Sequence, residues 1–208
     1  MDNQASAALS PIRGWLKEVA QNRRRLAFVA GAMLGFVACM PTVLTYSTGV
    51  FISAFERTYG WSRADTSLCW SLFTLILFLG STPVGRLADS LGAGRVASAS
   101  MLAFGVSLIM LPVVVHDLVS LWIAYAVISA LGLGTSPVVI LAPVVAAFTA
   151  RRGLAVGVAV CGAGAGAMLV PLVVTALIAA GSWRLGYVGL GIVALLVAPV
   201  LWLSLRAP

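Results

Sequence analysis

The sequence alternates between long apolar runs and short polar or basic segments. Six runs qualify as membrane-spanning helices, at residues 26–48, 64–84, 96–115, 119–148, 153–179 and 184–205. A helix needs about 20 mostly apolar residues to cross the roughly 30 Å hydrocarbon core of a bilayer. Periodicity alone does not distinguish such runs from long buried helices, but connections this short leave no surface helices to cover them in water. The pattern therefore predicts an all-α, polytopic membrane protein with six transmembrane helices.

The composition also indicates that lipid, and not water, surrounds the helices. Hydrophobic residues make up 61% of the chain and charged residues only 9%, whereas soluble domains carry about 25% charged residues. A water-soluble chain this apolar would expose large hydrophobic patches. We therefore predict that residues 26–208 form a transmembrane bundle whose main partner is the lipid bilayer. Residues 1–25 are predicted to be a basic cytoplasmic segment, with a short interfacial helix at residues 11–25.

The 13 lysines and arginines set the predicted orientation. With the N-terminus inside, the inner segments hold Arg13, Lys17, Arg23, Arg24, Arg25, Arg86, Arg95, Arg151, Arg152 and Arg206. Only Arg57, Arg63 and Arg184 then lie outside. This asymmetry fits the positive-inside rule, and an even span count leaves both termini in the cytoplasm of a cell (inner) membrane. Because the basic residues separate apolar runs and share no polar face, nucleic acid is not expected as a partner.

The sequence lacks the patterns of enzymes and metal sites. No HExxH, GxSxG, Walker A or paired-carboxylate motif occurs. Cys39, Cys69 and Cys161 lie inside apolar runs, and their odd number and spacing argue against a disulfide framework or a metal site. His116, beside Asp117 at an outer helix end, is interpreted as an exposed pair in preference to a proton relay. We therefore expect neither enzymatic activity nor a cofactor or metal.

Small residues and prolines recur within the runs. Two GxxxG pairs, Gly31 with Gly35 and Gly162 with Gly166, predict places where helix backbones approach closely. Each proline removes a backbone hydrogen bond and can bend its helix. Three prolines fall inside the fourth and fifth predicted spans: Pro137, Pro143 and Pro171.

The segment after the second span, residues 85–95, reads GRLADSLGAGR. It resembles G-x-L-A-D-(R/K)-x-G-(R/K)-x-(R/K), the loop between the second and third helices of the major facilitator superfamily. Ser90 and Ala93 replace two of its usual basic residues, whereas Asp89 matches and can accept hydrogen bonds from a helix N-terminus. The resemblance implies a conformational-switch loop that latches two transporter halves on the cytoplasmic side. Its residues here are Gly85, Arg86, Asp89, Gly92 and Arg95.

Further stretches resemble the monocarboxylate-porter and oxalate/formate-antiporter branch of that family. They are residues 46–51 (YSTGVF), 59–65 (YGWSRAD), 151–157 (RRGLAVG) and 181–184 (GSWR). The resemblance implies alternating-access transport of a small organic solute, a monocarboxylate or related organic anion, with a proton or counter-anion as candidates for coupling. Family members have twelve helices in two six-helix halves. The chain resembles one half, so the expected partner is a missing C-terminal half or a second copy.

The candidate substrate-binding residues are polar side chains at mid-depth, because the spans carry essentially no interior charge. In the family, the first and fourth helices line the central cavity. The candidates are therefore Thr42, Thr45 and Tyr46 on the first span, Thr135 and Ser136 on the fourth, with Trp70 added from the second. Hydroxyl groups can donate hydrogen bonds to a carboxylate, and hydrogen bonding between helices is the structural alternative.

Two other functions stay open at this point. The chain could be a truncated or partner-binding membrane protein that transports nothing. It could also be a six-helix permease subunit of an ATP-driven system, which a neighbouring ATPase gene would favour. Uptake of labelled carboxylates by the reconstituted chain separates a carrier from a non-transporting protein.

Overall fold

A computed structural model describes residues 23–148 and 152–205, and all regular secondary structure in these ranges is helical. The helices are α1 (Arg23–Ala38), α2 (Met40–Tyr59), α3 (Arg63–Leu91), α4 (Ala93–Val114), α5 (Leu118–Gly132), α6 (Pro137–Ala147), α7 (Arg152–Ala180) and α8 (Trp183–Ser204), with a 3-10 turn at Leu133–Thr135. They make six apolar spans of membrane-crossing length, the first from α1 and α2 and the fourth from α5 and α6. The predicted all-α fold with six spans is confirmed. The predicted interfacial helix lies mostly outside the described residues.

The first two spans extend further than the sequence pattern predicts. The first continues from residue 48 to Tyr59, and the second continues from residue 84 to Leu91. The 29 residues of α3 measure about 43 Å at 1.5 Å per residue, more than the hydrocarbon core. Hydropathy detects only the part of a helix that lies in hydrocarbon. The polar ends of both spans were therefore missed, although they are helical.

Two glycines with positive φ lie in turns between spans. Gly60 ends α2 with φ 70°, and Gly92 is the single residue between α3 and α4, with φ 93°. Both values lie in the region that side chains with a Cβ rarely adopt. A single permissive residue is therefore enough to reverse the chain between the second and third spans.

Asp117 caps the N-terminus of α5. Its Oδ1 accepts the Ser120 N–H at 2.7 Å, and Ser120 Oγ accepts the Asp117 N–H at 3.0 Å. The bonds from the side chain and backbone of Ser120 lower the pKa of Asp117, because they favour its charged form. Asp117 and its neighbour His116 are both exposed. This agrees with the interpretation of the two residues as an exposed pair at a helix end.

Glycines let the helices pack backbone to backbone. Gly162 on α7 faces the Met33 carbonyl on α1 so closely that a Cβ would collide with it, and Gly166 lies against Thr42 and the backbone of the same span. Gly31 and Gly35 on α1 meet Ser204 and Leu201 of α8 in the same way. Both GxxxG pairs are therefore helix contacts, as predicted.

An aromatic cluster holds the end of α2 against the start of α8. Tyr187 stacks on Phe51 with ring centroids 3.8 Å apart, and Trp183 meets the edge of Phe55 at 5.1 Å. The Tyr187 hydroxyl lies 2.6 Å from the hydroxyl of Tyr125 on α5. This packing fixes one end of the bundle, opposite the end that carries Gly92.

Candidate functional site

The first span is interrupted at Cys39, which has an extended backbone with φ −63° and ψ 150°. Pro41, two residues later, has no N–H to continue the helical ladder. The Met40 N–H donates instead to Thr135 Oγ1 at 2.9 Å, on the fourth span. The Cys39 thiol donates to the Phe36 carbonyl at 3.3 Å. One N–H and one carbonyl freed by the interruption are thus satisfied by side chains, as the membrane interior favours.

The fourth span is interrupted at the level where it meets the first. Beyond the 3-10 turn, Ser136 is extended, with φ −63° and ψ 155°, and Pro137 begins α6. The Thr135 hydroxyl donates to the Gly132 carbonyl at 2.8 Å while it accepts the Met40 N–H. A Cβ on Gly132 would lie 2.7 Å from the Met40 side chain, so the two interruptions are in direct contact.

We call this meeting of two interrupted helices the break junction; it comprises Cys39, Met40, Thr42, Thr135 and Ser136. Thr42 Oγ1 lies 3.1 Å from the Cys39 sulfur. The hydroxyl of Ser136 is buried and has no hydrogen-bond partner among the described residues. Three of the six predicted substrate-binding residues therefore belong to one buried cluster: Thr42, Thr135 and Ser136.

The other three predicted residues are more accessible: Tyr46 is exposed, and Thr45 and Trp70 are half-buried. We call these three residues the exposed polar face. Tyr46 is 42% exposed, and its hydroxyl has no hydrogen-bond partner among the described residues. Trp70 is half-buried, with its ring edge against Phe73 at 5.3 Å. It lines a shallow groove of about 480 Å³ on α3 together with Ser71 and Thr74. The six residues thus divide between two environments and do not line one enclosed pocket.

The predicted conformational-switch loop is not a loop. Gly85, Arg86 and Asp89 lie in the last turns of α3, and Arg95 lies in the first turn of α4. Only Gly92 lies between the helices, because its positive φ makes the whole reversal. The charged side chains of Arg86, Asp89 and Arg95 are exposed at this end of the bundle.

The break in the first span was missed at the level of sequence. Pro41 was the signal available for it, since a proline within an apolar run marks a place where a helix can be interrupted. Cys39 was interpreted only as a small buried hydrophobic residue. It is buried, but its thiol also takes part in two hydrogen bonds. Pro143 and Pro171 lie inside helices that continue past them.

The comparison with known families agrees with the six-span helical fold. A sequence model of the Major Facilitator Superfamily matches residues 34–208. The chain belongs to the Major Facilitator Superfamily. No match was found among curated protein sequences. As a member of this superfamily, it is a multi-pass membrane protein that transports a solute, with the lipid bilayer and a small-molecule substrate as partners.

The two environments have different chemical capacity in this Major Facilitator Superfamily bundle. At the break junction, the Thr135 hydroxyl is occupied by contacts within the protein. On the exposed polar face, the Tyr46 hydroxyl is exposed and has no hydrogen-bond partner in the part of the chain that the structure describes. Within residues 23–148 and 152–205, no group of three or more His, Cys, Asp or Glu side chains could hold a metal ion. Any interaction with a solute on these surfaces would therefore rest on hydroxyl groups and aromatic rings.

Proposed function

We propose that the chain carries a small organic solute, a monocarboxylate or related organic anion, across the membrane by alternating access, as half of a transporter. The observation that carries this proposal is the contact between two interrupted spans at Met40 and Thr135. Interrupted helices near mid-membrane are where many carriers build their sites. The substrate class rests on the resemblance of residues 46–51, 59–65 and 151–157 to monocarboxylate and oxalate/formate carriers.

The break junction and the exposed polar face take different parts in this mechanism. The junction gives the first and fourth spans a common flexing point, held by the bond between the Met40 N–H and the Thr135 hydroxyl. The exposed polar face supplies the solute contacts, because Thr45, Tyr46 and Trp70 remain accessible at the surface. Ser136 joins them if the junction opens, since its buried hydroxyl is not otherwise used.

A second six-helix bundle completes the site in this proposal. Thr45, Tyr46 and Trp70 lie on the outside of the bundle, so a solute bound there needs another wall to exclude lipid. A missing C-terminal half or a second copy of the chain supplies that wall. Alternating access then follows if the two bundles rock against each other about the solute.

The orientation belongs to the same proposal. Ten of the 13 basic residues fall on one side of the membrane when the spans alternate, which favours cytoplasmic termini in the inner membrane. Gly85, Arg86, Asp89, Gly92 and Arg95 then lie at the cytoplasmic end. With their charged side chains exposed, they can contact the second bundle and act as a conformational switch.

Reconstitution tests this function. The chain, alone and with a candidate second bundle, is placed in liposomes, and uptake of labelled acetate, pyruvate and oxalate is measured. Uptake that needs the second bundle supports a half-transporter, and uptake by the chain alone supports pairing of two copies. Absence of uptake in both preparations would end the proposal for these substrates and leave a partner-binding or non-transporting protein.

A further inference from the structure

A cavity of about 720 Å³ opens at the end of the bundle where α2 ends and α8 begins. Its volume falls within the roughly 300–1,000 Å³ typical of small-molecule sites. It lies between α2 and the last turns of α7, away from the break junction and the groove at Trp70. The polar residues that line it are Ser53, Arg57, Thr58, Thr175, Ser182 and Arg184.

The cations at this end of the bundle are distributed unevenly. Arg63 Nε donates to Glu56 Oε2 at 3.0 Å, and this pair lies outside the cavity lining. Arg57 and Arg184 both line the cavity, and neither forms an ion pair with any described residue. Of the three arginines predicted to lie outside, Arg63 is therefore neutralised by Glu56. Arg57 and Arg184 have no ion-pair partner among the described residues, and both line this cavity.

No carboxylate lines the cavity to balance these two arginines. The other acidic residues at this end are engaged elsewhere: Asp65 accepts the Ser62 hydroxyl at 2.6 Å, and Asp117 caps α5. The cavity thus has two cations, several hydroxyl groups and no anion. Guanidinium groups match carboxylate and phosphate oxygens geometrically, and such charge-assisted hydrogen bonds are stronger than neutral ones.

Arg184 lies beside the aromatic cluster. The preceding residue, Trp183, is buried in the aromatic cluster, and the Arg184 guanidinium carbon lies 5.6 Å from its ring centroid. Ser182 begins α8 without a side-chain capping bond. The partial positive charge at the N-terminus of this 22-residue helix therefore adds to the charges of the two arginines.

We propose that this cavity is a binding site for a single small organic anion, carboxylate or phosphate in type, held between Arg57 and Arg184. In the proposed orientation it lies on the outer side of the membrane. A soluble carboxylate and the headgroup of an anionic lipid present the same chemistry to it. Binding here does not require transport, so this proposal can be tested independently of the carrier function.

Ligand-observed ¹⁹F NMR on the full chain in phosphatidylcholine nanodiscs tests the site. The probe is 4-fluorobenzoate, and 4-fluorobenzyl alcohol is the neutral control of similar shape. The expected result is saturable binding of the carboxylate, with binding of the alcohol at least tenfold weaker. Arg57→Gln and Arg184→Gln should each weaken carboxylate binding at least tenfold, and Arg57→Lys should restore part of it.

A matched control removes charges from the same end without touching the cavity. The double variant Glu56→Gln with Arg63→Gln keeps the net charge and should bind 4-fluorobenzoate within twofold of the unmodified chain. All the altered side chains are exposed, and circular dichroism checks that each variant is folded.

A second arm separates the two sources of the anion. In nanodiscs that contain phosphatidylglycerol, a lipid-headgroup site shows arginine-dependent retention of that lipid and reduced 4-fluorobenzoate binding. A site for soluble anions keeps its affinity for 4-fluorobenzoate unchanged. Either result supports the site. The proposal is overturned if neither anion binds, or if binding survives in the double variant Arg57→Gln with Arg184→Gln.

Discussion

The break junction and the exposed polar face both present hydroxyl groups, in one case a single helical turn apart, yet they differ in burial and in hydrogen bonding. Thr42 is 4% exposed and Thr135 is fully buried, and both contact polar groups of the protein. Tyr46, one turn beyond Thr42 on the same helix, is 42% exposed and has no such partner among the described residues.

This difference shows what a hydroxyl group does in a membrane helix. Where the backbone is interrupted, the hydroxyl replaces a lost helical hydrogen bond, and its role is structural. At Tyr46 the backbone is continuous and the hydroxyl has no partner among the described residues, whereas Ser47 and Thr48 on the same helix donate to carbonyls one turn earlier.

The largest expected effect is at Thr135. Thr135→Val keeps the shape of the side chain but leaves the Met40 N–H unsatisfied in a buried place and removes the hydroxyl bond to the Gly132 carbonyl. The free energy of unfolding should fall by about 2–4 kcal/mol, from about 1–3 kcal/mol for the orphaned N–H and about 1 kcal/mol for the lost bond. Denaturation by SDS, followed by circular dichroism, measures it. Thr135→Ser should keep most of the stability, and equal losses in both variants would contradict the assigned bonds.

A smaller loss of stability is expected when a methyl group is added at the contact between α7 and α1. Gly162→Ala forces a methyl group against the Met33 carbonyl and should cost about 1–3 kcal/mol, as overpacking typically does. Gly164→Ala is the matched control, because a Cβ there meets nothing within 4 Å. It should change the unfolding free energy by less than about 0.5 kcal/mol. The same SDS titration compares them, and equal effects would refute the packing.

On the exposed polar face, a substitution should change transport and leave stability unaltered. Tyr46→Phe removes only a hydroxyl that has no partner among the described residues, so the unfolding free energy should stay within about 0.5 kcal/mol. If this hydroxyl binds the solute anion, uptake into proteoliposomes should fall about tenfold, equivalent to about 1.4 kcal/mol. A destabilised variant, or one that transports normally, would remove Tyr46 from the solute path.

The smallest effect is expected at Ser136. Its buried hydroxyl lacks a partner among the described residues, and an unsatisfied polar group is unfavourable in a buried place. Ser136→Ala should therefore stabilise the bundle by up to about 1 kcal/mol in the SDS titration. A clear loss of stability would show that the hydroxyl is hydrogen-bonded, which would contradict the description of Ser136 at the break junction.

The fold could be predicted from the sequence because hydrocarbon imposes a strong constraint. A run long and apolar enough to cross a bilayer must be helical, so six runs gave six spans. The errors concern features that hydropathy does not measure. Residues 49–59 and 85–91 are polar enough to end an apolar run, yet they continue their helices. Gly92 alone makes a turn for which a whole loop was expected.

The candidate site was less predictable, because polarity does not reveal exposure. Thr42, Thr45 and Tyr46 fall within five residues of one helix, and a sequence alone does not say which faces a neighbour. The rotation of α2 is fixed by the break at Cys39 and by the contact of Met40 with Gly132, across more than 90 residues of chain. Such a long-range contact leaves no local mark in the sequence.

Accessibility to a charged thiol reagent tests the division between the two regions most directly. In a Cys161→Ser background, Tyr46→Cys and Ser136→Cys are treated with a membrane-impermeant methanethiosulfonate in proteoliposomes that contain the chain and its proposed second bundle. Thiolates form in water and not in hydrocarbon or a packed core, so Tyr46→Cys should react at least tenfold faster, and substrate should slow it. Equal rates at the two positions, or an unreactive thiol at position 46, would contradict a buried junction beside a solute-accessible face.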